Sequence, residues 1–204
     1  TASNNTAVGY SALIRNTTGT QNVAVGAGAS DALTTGSHNI IVGGDSLSAD
    51  TLGSRNVAVG YACLNNQNFT SATSVYNVAV GFNAGFAVTT GIQNTIMGGL
   101  AGDALTDGDT NVFVGYDAAG TTTTGTNNVV IGKSTRTSAV GGNNQIVIGD
   151  GVTGVGNSNF TFGAGSTDSN IAFGATSISA PSDQRYKEEI ADATAGLSFI
   201  NDLR

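Results

Sequence analysis

Chemistry in this chain has few side chains to draw on: one cysteine, one histidine, and fourteen carboxylates against seven basic residues. No Ser-His-Asp set can be singled out around a single imidazole. His38 stands in a turn before Asn39 with no Cys or His partner, and reads as a surface residue. Asp103, Asp107 and Asp109 lie close in sequence and could offer oxygens to a hard cation. They match neither a helix-loop-helix calcium loop nor a nonapeptide calcium repeat, so neither metal nor cofactor is expected. Gly132-Lys133-Ser134 has the ending of a phosphate loop, but Asn127 stands where its first glycine belongs and no helix follows. No pair of carboxylates is singled out for glycoside hydrolysis. One set remains. Tyr10, Tyr61, Phe82 and Tyr116 occupy equivalent places in the repeat described next, and exposed aromatic rings can stack on the sugar rings of a glycan. The alternative is structural: such rings wedge between coils or against a neighbouring copy.

The element that places these residues is repeated. Asn22-Val23-Ala24-Val25-Gly26 has near-copies beginning at Asn5, Asn39, Asn56, Asn77, Asn94, Asn111 and Asn128, and Gln145 opens a ninth. The step from Asn22 to Asn39 recurs at every level but one. Between Asn56 and Asn77 the step is longer, which puts four extra residues within Asn65 to Tyr76. Gly19, Gly36, Gly53, Gly91, Gly108, Gly125 and Gly142 keep a second register, each at the same distance from its motif start. Two registers agreeing over nine units mark a repeat protein. Cys63 falls in a column with Ala12, Ala29, Ser46, Ala84, Ala101 and Ala118, and so reads as a small core residue rather than a nucleophile.

Short β-branched runs closed by glycine and flanked by turn formers read as strands. No 3.6-residue period survives between Asn5 and Phe173. A 17-residue unit can hold two short strands and two turns, and stacked units give a parallel β-solenoid rising ~4.8 Å per coil, ~43 Å for nine coils. Side chains alternate across a strand. The expectation is that the first and third residues of each triplet, such as Val23 and Val25, form the coil's own core. The middle column, Ala7, Ala24, Ile41, Ala58, Ala79, Ile96, Phe113, Val130 and Val147, then faces outward. A strand apolar on both faces needs cover on both, and the simplest cover is another copy of the chain about a shared axis, most simply a trimer. The Asn column is expected to hydrogen-bond from coil to coil, and the Gly columns to supply positive φ at corners.

The totals exclude other classes. Thirty glycines, one proline and no three-residue period exclude collagen. A net charge of -7, with nine Asp against four basic residues before Ser182, leaves no basic groove for nucleic acid and disfavours anionic membranes. No run approaches the ~20 apolar residues of a membrane helix, so no membrane insertion is expected. One cysteine excludes an internal disulfide framework. The chain opens at Thr1, part-way into a repeat and without a signal peptide, and reads as a fragment.

The period breaks after Gln145. The steps to the motifs at Asn159 and Asn170 become progressively shorter, and these motifs carry Phe160, Phe162 and Phe173. This suggests a tapering or intertwined segment over 154–181 that follows the repeat domain of 1–153. The stretch from Ser182 to Arg204 is dense in charge and holds both glutamates. Ser182 suits the N-cap of a short C-terminal helical segment.

Two resemblances rest on these residues. The Asn-x-Ala-Val-Gly repeats from Asn5 to Gly149 resemble the left-handed parallel β-roll of trimeric autotransporter adhesin heads, and still more the repeats of phage and prophage tail fibres. The repeat length departs from the family pattern. The stretch Ser182-Asp183-Gln184-Arg185-Tyr186-Lys187-Glu188-Glu189-Ile190, followed by Gly196 to Arg204, is similar to the start of the endosialidase-type intramolecular chaperone. In that family a Ser and a Lys five positions on form a self-cleavage dyad, which implies Ser182 as nucleophile, Lys187 as its base and Pro181-Ser182 as the scissile bond. The family's module is far longer than the stretch from Ser182 to Arg204, so autoproteolysis is expected of a full-length parent only.

Together these give an all-β, left-handed parallel β-roll or solenoid of about nine 17-residue coils, homotrimeric, with a short C-terminal helical segment. The expected role is a structural and adhesive segment of an extracellular fibre, on a virion or a cell surface, that attaches to a host glycan or protein receptor. The alternatives are a bacterial surface adhesin with the same roll and, less well supported by such tight coils, a polysaccharide-depolymerising tailspike.

Overall fold

The structure, a computed structural model, describes residues 1–166 and 168–177. It is an all-β parallel solenoid of about nine turns, and no helix occurs among the described residues. The strands in chain order are β1 (Thr6–Val8), β2 (Val23–Val25), β3 (Ile40–Val42), β4 (Gly53–Ser54), β5 (Val57–Val59), β6 (Thr73–Ser74), β7 (Val78–Val80), β8 (Thr95–Met97), β9 (Val112–Val114), β10 (Val129–Ile131), β11 (Gln145–Asp150), β12 (Asn159–Ala164) and β13 (Ser169–Ala172). All but β4 and β6 lie side by side in one sheet, in chain order, and those two pair with each other. Each turn thus contributes one short strand to the main sheet. The register matches like with like: Ala7 beside Ala24, Ile41 beside Ala58, Ile96 beside Phe113.

The expected second strand of each coil is largely missing. Two positions in that half of the unit hold positive φ, as at Asp45 and Leu47 or Ala62 and Leu64. A strand cannot run through them, yet the backbone still bonds between coils: Leu47 N–H donates to the Cys63 carbonyl at 2.9 Å and Thr34 N–H to the Thr51 carbonyl at 2.9 Å. Left-handed residues with large side chains are costly. Here they turn leucines such as Leu47 and Leu64 fully into the core.

The buried face of the strands is the opposite of the one expected. Ala24, Ile41, Ala58, Ala79, Ile96, Phe113, Val130 and Val147 are fully buried, whereas Ile40, Val42, Met97, Ile131 and Ile148 are exposed. Alternation holds, but its inner face is the middle column. The physical reason is volume. The narrow interior is already filled from the far side by Leu13, Leu33, Leu47, Leu64, Val88 and Leu105, so strand residues pointing inward must be small unless a gap is left for them. At Phe113 the gap is Gly102, where a Cβ would press on the ring.

The four extra residues can be located. Gln67 still pairs with Asp50 and Asn68 with Thr51 in the regular register, but Thr73 pairs with Gly53 and Asn77 follows Asn56 at the longer step. Three of the extra residues therefore lie between Asn68 and Thr73, and the fourth between Ser74 and Asn77. At the other end, β12 continues the stack in parallel beside β11, and Thr161 carries on the buried middle column. The Asn170 motif does not make another coil. Its strand, β13, turns back antiparallel on β12. The helical segment expected from Ser182 lies outside the described residues.

Candidate functional site

Two surface features stand out, an uncharged apolar face and an aromatic column along its border. The face is made by the first and third residues of each strand triplet. From β1 to β12 the first positions are Thr6, Val23, Ile40, Val57, Val78, Thr95, Val112, Val129, Ile146 and Phe160. The third positions are Val8, Val25, Val42, Val59, Val80, Met97, Val114, Ile131, Ile148 and Phe162. None is charged, none is buried, and Val8, Ile40 and Met97 are 57%, 47% and 43% exposed. Phe160 and Phe162 widen the face where the stack ends, their ring centroids 4.9 Å apart.

Beyond each strand the chain bends at glycine. Gly43, for example, has φ 143°, and a Cβ there would overlap the Gly60 carbonyl of the next coil. The same overlap recurs up the column, so this glycine is required by both conformation and space. The second glycine register works differently from expectation. Gly36 and its equivalents do not have positive φ; they lie so close to the next coil or to a side chain of their own unit that a Cβ would clash.

The residue after the bend carries the aromatic column. Tyr10 is 85% exposed, Tyr61 52%, Phe82 56% and Tyr116 57%. The structure thus aligns all four sequence candidates on one line. Tyr61 and Phe82, on successive coils, stack with centroids 5.7 Å apart and planes 15° from parallel. Gly44 and Gly99 occupy the same column one coil before Tyr61 and Tyr116. The Tyr61 ring lies close over Gly44, and the Tyr116 ring leans over Gly99 more distantly. The next residue along the chain is polar at Ser11, Asp45, Asn83 and Asp117. Arg136 holds Asp117 at 2.8 Å in a half-buried ion pair.

Inside the coil the Asn column forms a ladder. Each asparagine's Oδ1 accepts the backbone N–H of the next, as Asn5 does from Asn22 at 2.8 Å and Asn111 from Asn128 at 3.0 Å. Except at Asn56, each Nδ2 caps a glycine carbonyl of its own unit, as Asn111 does for Gly125 at 2.8 Å. The ladder breaks at the insertion. Asn56 Oδ1 is buried without a hydrogen-bond partner, and Asn77 Nδ2 donates instead to Gln67 Oε1 at 2.8 Å. Gln67 Nε2 in turn donates to Asp50 at 2.6 Å, while Gly53 and Phe69 N–H groups bond the same carboxylate. Burial pushes the Asp50 carboxyl above its ordinary value, against the pull of these donors and of the Leu52 N–H.

The remaining candidates have structural roles. Cys63 is fully buried, its thiol donates to the Gly81 carbonyl at 2.7 Å, and burial raises its pKa. His38 lies at a positive-φ corner. Asp109 accepts the Ile92 N–H at 2.7 Å, Asp107 the Thr106 hydroxyl, and Asp103 is raised by burial and then by Asp117. Among the described residues no three His, Cys, Asp or Glu side chains come together. Lys133 lies at the bend after β10, followed by turn rather than helix. Ser182 and Lys187 lie outside the described residues.

Sequence inspection put the exposed apolar face on the middle column instead of the first and third positions, and missed the Asp50–Gln67–Asn77 chain. Both leave a trace in aligned repeats. Asp50 and Gln67 share a column with Leu33, Val88 and Leu105, a buried address for polar groups. Compared with known proteins, the chain matches no protein-family model, no curated protein and no solved structure.

Proposed function

We propose that this chain is a rigid segment of a homotrimeric extracellular fibre that carries attachment to a host or target cell surface. The observation that carries this reading is the face of first and third strand residues, uncharged and almost wholly apolar over ten successive strands. A monomer would leave that face in water as a contiguous patch, an association hazard. Two further copies of the chain, stacked about a common axis, offer every level the same residue it presents. The axis then runs along the Val23–Val25 face and not along the middle column. The resemblance to trimeric adhesin heads and tail fibres supports the same assembly. A trimeric rod suits attachment because stability adds coil by coil and weak contacts are multiplied by three. Bacterial-adhesin and virion locations require the same geometry. Self-cleavage before Ser182 rests on resemblance alone.

The test is solution mass by light scattering with intact-chain mass spectrometry, on the wild type and on Val59→Asp. The expected result is a wild-type mass near three times 20.2 kDa and a variant that no longer holds three chains. A wild-type monomer would overturn the assembly. Chains cut between Pro181 and Ser182 in the wild type but intact in Ser182→Ala and Lys187→Ala would support the dyad.

A further inference from the structure

The aromatic column borders the apolar face but differs from it in a way that separates their occupants. The face is free of charge. The column has polar neighbours, with Asn83 beside Phe82, Asp117 beside Tyr116, and Asp45 beside the Gly44 that Tyr61 covers. Carboxylates and amides are poor material for the dry centre of an interface between copies, from which charge is depleted. They suit a ligand that presents an apolar ring face and a fringe of hydroxyls. That is the chemistry of a sugar ring: its C–H face stacks on an aromatic ring and its hydroxyls bond planar carboxylates and amides.

Spacing narrows the class. Tyr10, Tyr61 and Tyr116 stand on the first, fourth and seventh coils, so successive tyrosines are about 14 Å apart at the inter-strand spacing of a sheet. Small residues, Ala27, Gly44 and Gly99, leave low steps between them. Phe82 extends the Tyr61 platform by one coil. A line of rings along the rod fits a linear chain of sugars lying parallel to its axis better than a single terminal sugar. Charge narrows it again. Asp45 beside the column, on a chain of net charge -7, disfavours anionic sugars at the Tyr61–Phe82 platform, whereas Asp117 is paired with Arg136 and Lys133 continues the column one coil beyond Tyr116.

We propose that this column binds a neutral, linear glycan along the rod, with Tyr61–Phe82 and Tyr116 as stacking platforms and Asn83 and Asp117 as hydroxyl partners. This rests on the reading of the chain as an attachment fibre and names the class of ligand it would take.

The chain contains no tryptophan, and three of its five tyrosines, Tyr10, Tyr61 and Tyr116, stand in the column, so tyrosine fluorescence is read on the wild type and on the column variants to isolate their share. The probes are cellohexaose, chitohexaose and maltohexaose, with oligogalacturonate and oligosialic acid as anionic comparators. Saturable binding of at least one neutral hexasaccharide and weaker or no binding of the anionic ones is expected. Tyr61→Ala and Tyr116→Ala should each weaken it about five- to tenfold, with Tyr61→Phe retaining it. Circular dichroism and solution mass are read on every variant. No binding to any neutral probe, unchanged binding in both alanine variants, or preference for anionic chains overturns the proposal. So does loss of the wild-type mass in Tyr61→Ala and Tyr116→Ala, which would place the rings between copies. That last outcome leaves the fibre reading standing, whereas a monomeric wild type that binds the probe would overturn the assembly and keep the glycan site.

Discussion

At the scale of single residues, the buried asparagines carry the most consequence per atom. Asn111 Oδ1 accepts from both the backbone and the side chain of Asn128, and its Nδ2 reaches Asn94 and Gly125. Removing it by Asn111→Ala strands a buried N–H and a buried carbonyl. The expected loss is ~2–6 kcal/mol, from ~1–3 kcal/mol for each unpaired buried group. Asn56 supplies an instructive contrast, because its Oδ1 is already without a partner. Asn56→Ala should cost clearly less, and denaturant titration of the two variants checks the order. Asp50 sets a pH dependence. Its folded-state pKa lies above the ordinary value of 3.8, with burial the leading cause. The native state therefore binds the proton more tightly than the unfolded chain. Its contribution to stability is fully present below the unfolded value and is lost as pH rises through the folded value. Melting temperatures taken on either side of that window should fall with rising pH in the wild type, and Asp50→Asn should flatten the fall.

At the scale of the element, the unit is one three-residue strand, a glycine bend and a return path that bonds its neighbours without being a strand. The bend tolerates no side chain, since the glycine of one coil lies against the carbonyl of the next. Gly43→Ala must move backbone in two coils and adopt an unfavourable φ. A loss of ~2–4 kcal/mol is expected, read as a lower denaturant midpoint. Partial preservation of the alternation rule also belongs to this scale. The rule that Val23 and Val25 share one face held, while the choice of which face is inside failed. The expectation put the valines in the coil's own core and the middle alanines outward. The return path reverses this, because its leucines take the volume and leave the strands room for alanine at several levels, with a glycine such as Gly102 yielding space to Phe113.

At the scale of the whole molecule, the coils form a stack in which each level touches only its neighbours. Such arrays have stabilities that are roughly sums of unit and interface terms. Deleting one complete unit, residues 94–110, joins Gln93 to Asn111 in the register already used by its neighbours. The shortened chain should fold, keep its β circular dichroism and keep the wild-type number of chains by light scattering. Deleting only half of that unit should not, since it breaks both registers. The Asp50–Gln67–Asn77 chain shows how the molecule absorbs the long step between Asn56 and Asn77 without unfolding the column: glutamine reaches where the asparagine ladder cannot.

Periodicity alone determined a great deal here. An asparagine at the head of each unit, a second glycine register and short β-branched triplets were sufficient for the solenoid, its turn count, the coil-to-coil asparagine ladder and the alignment of Tyr10, Tyr61, Phe82 and Tyr116. These follow from backbone hydrogen bonding and strict repetition, which put equivalent residues on one line whatever the coil's detailed path. Three things were decided only in three dimensions. Which strand face is buried depends on how much volume the opposite wall supplies. Whether the return path is a strand depends on φ at residues such as Asp45 and Leu47, whose types do not announce it. The direction of β13 depends on what the edge of β12 can pair with, and the step from Asn159 to Asn170 is too short to travel another coil before it pairs.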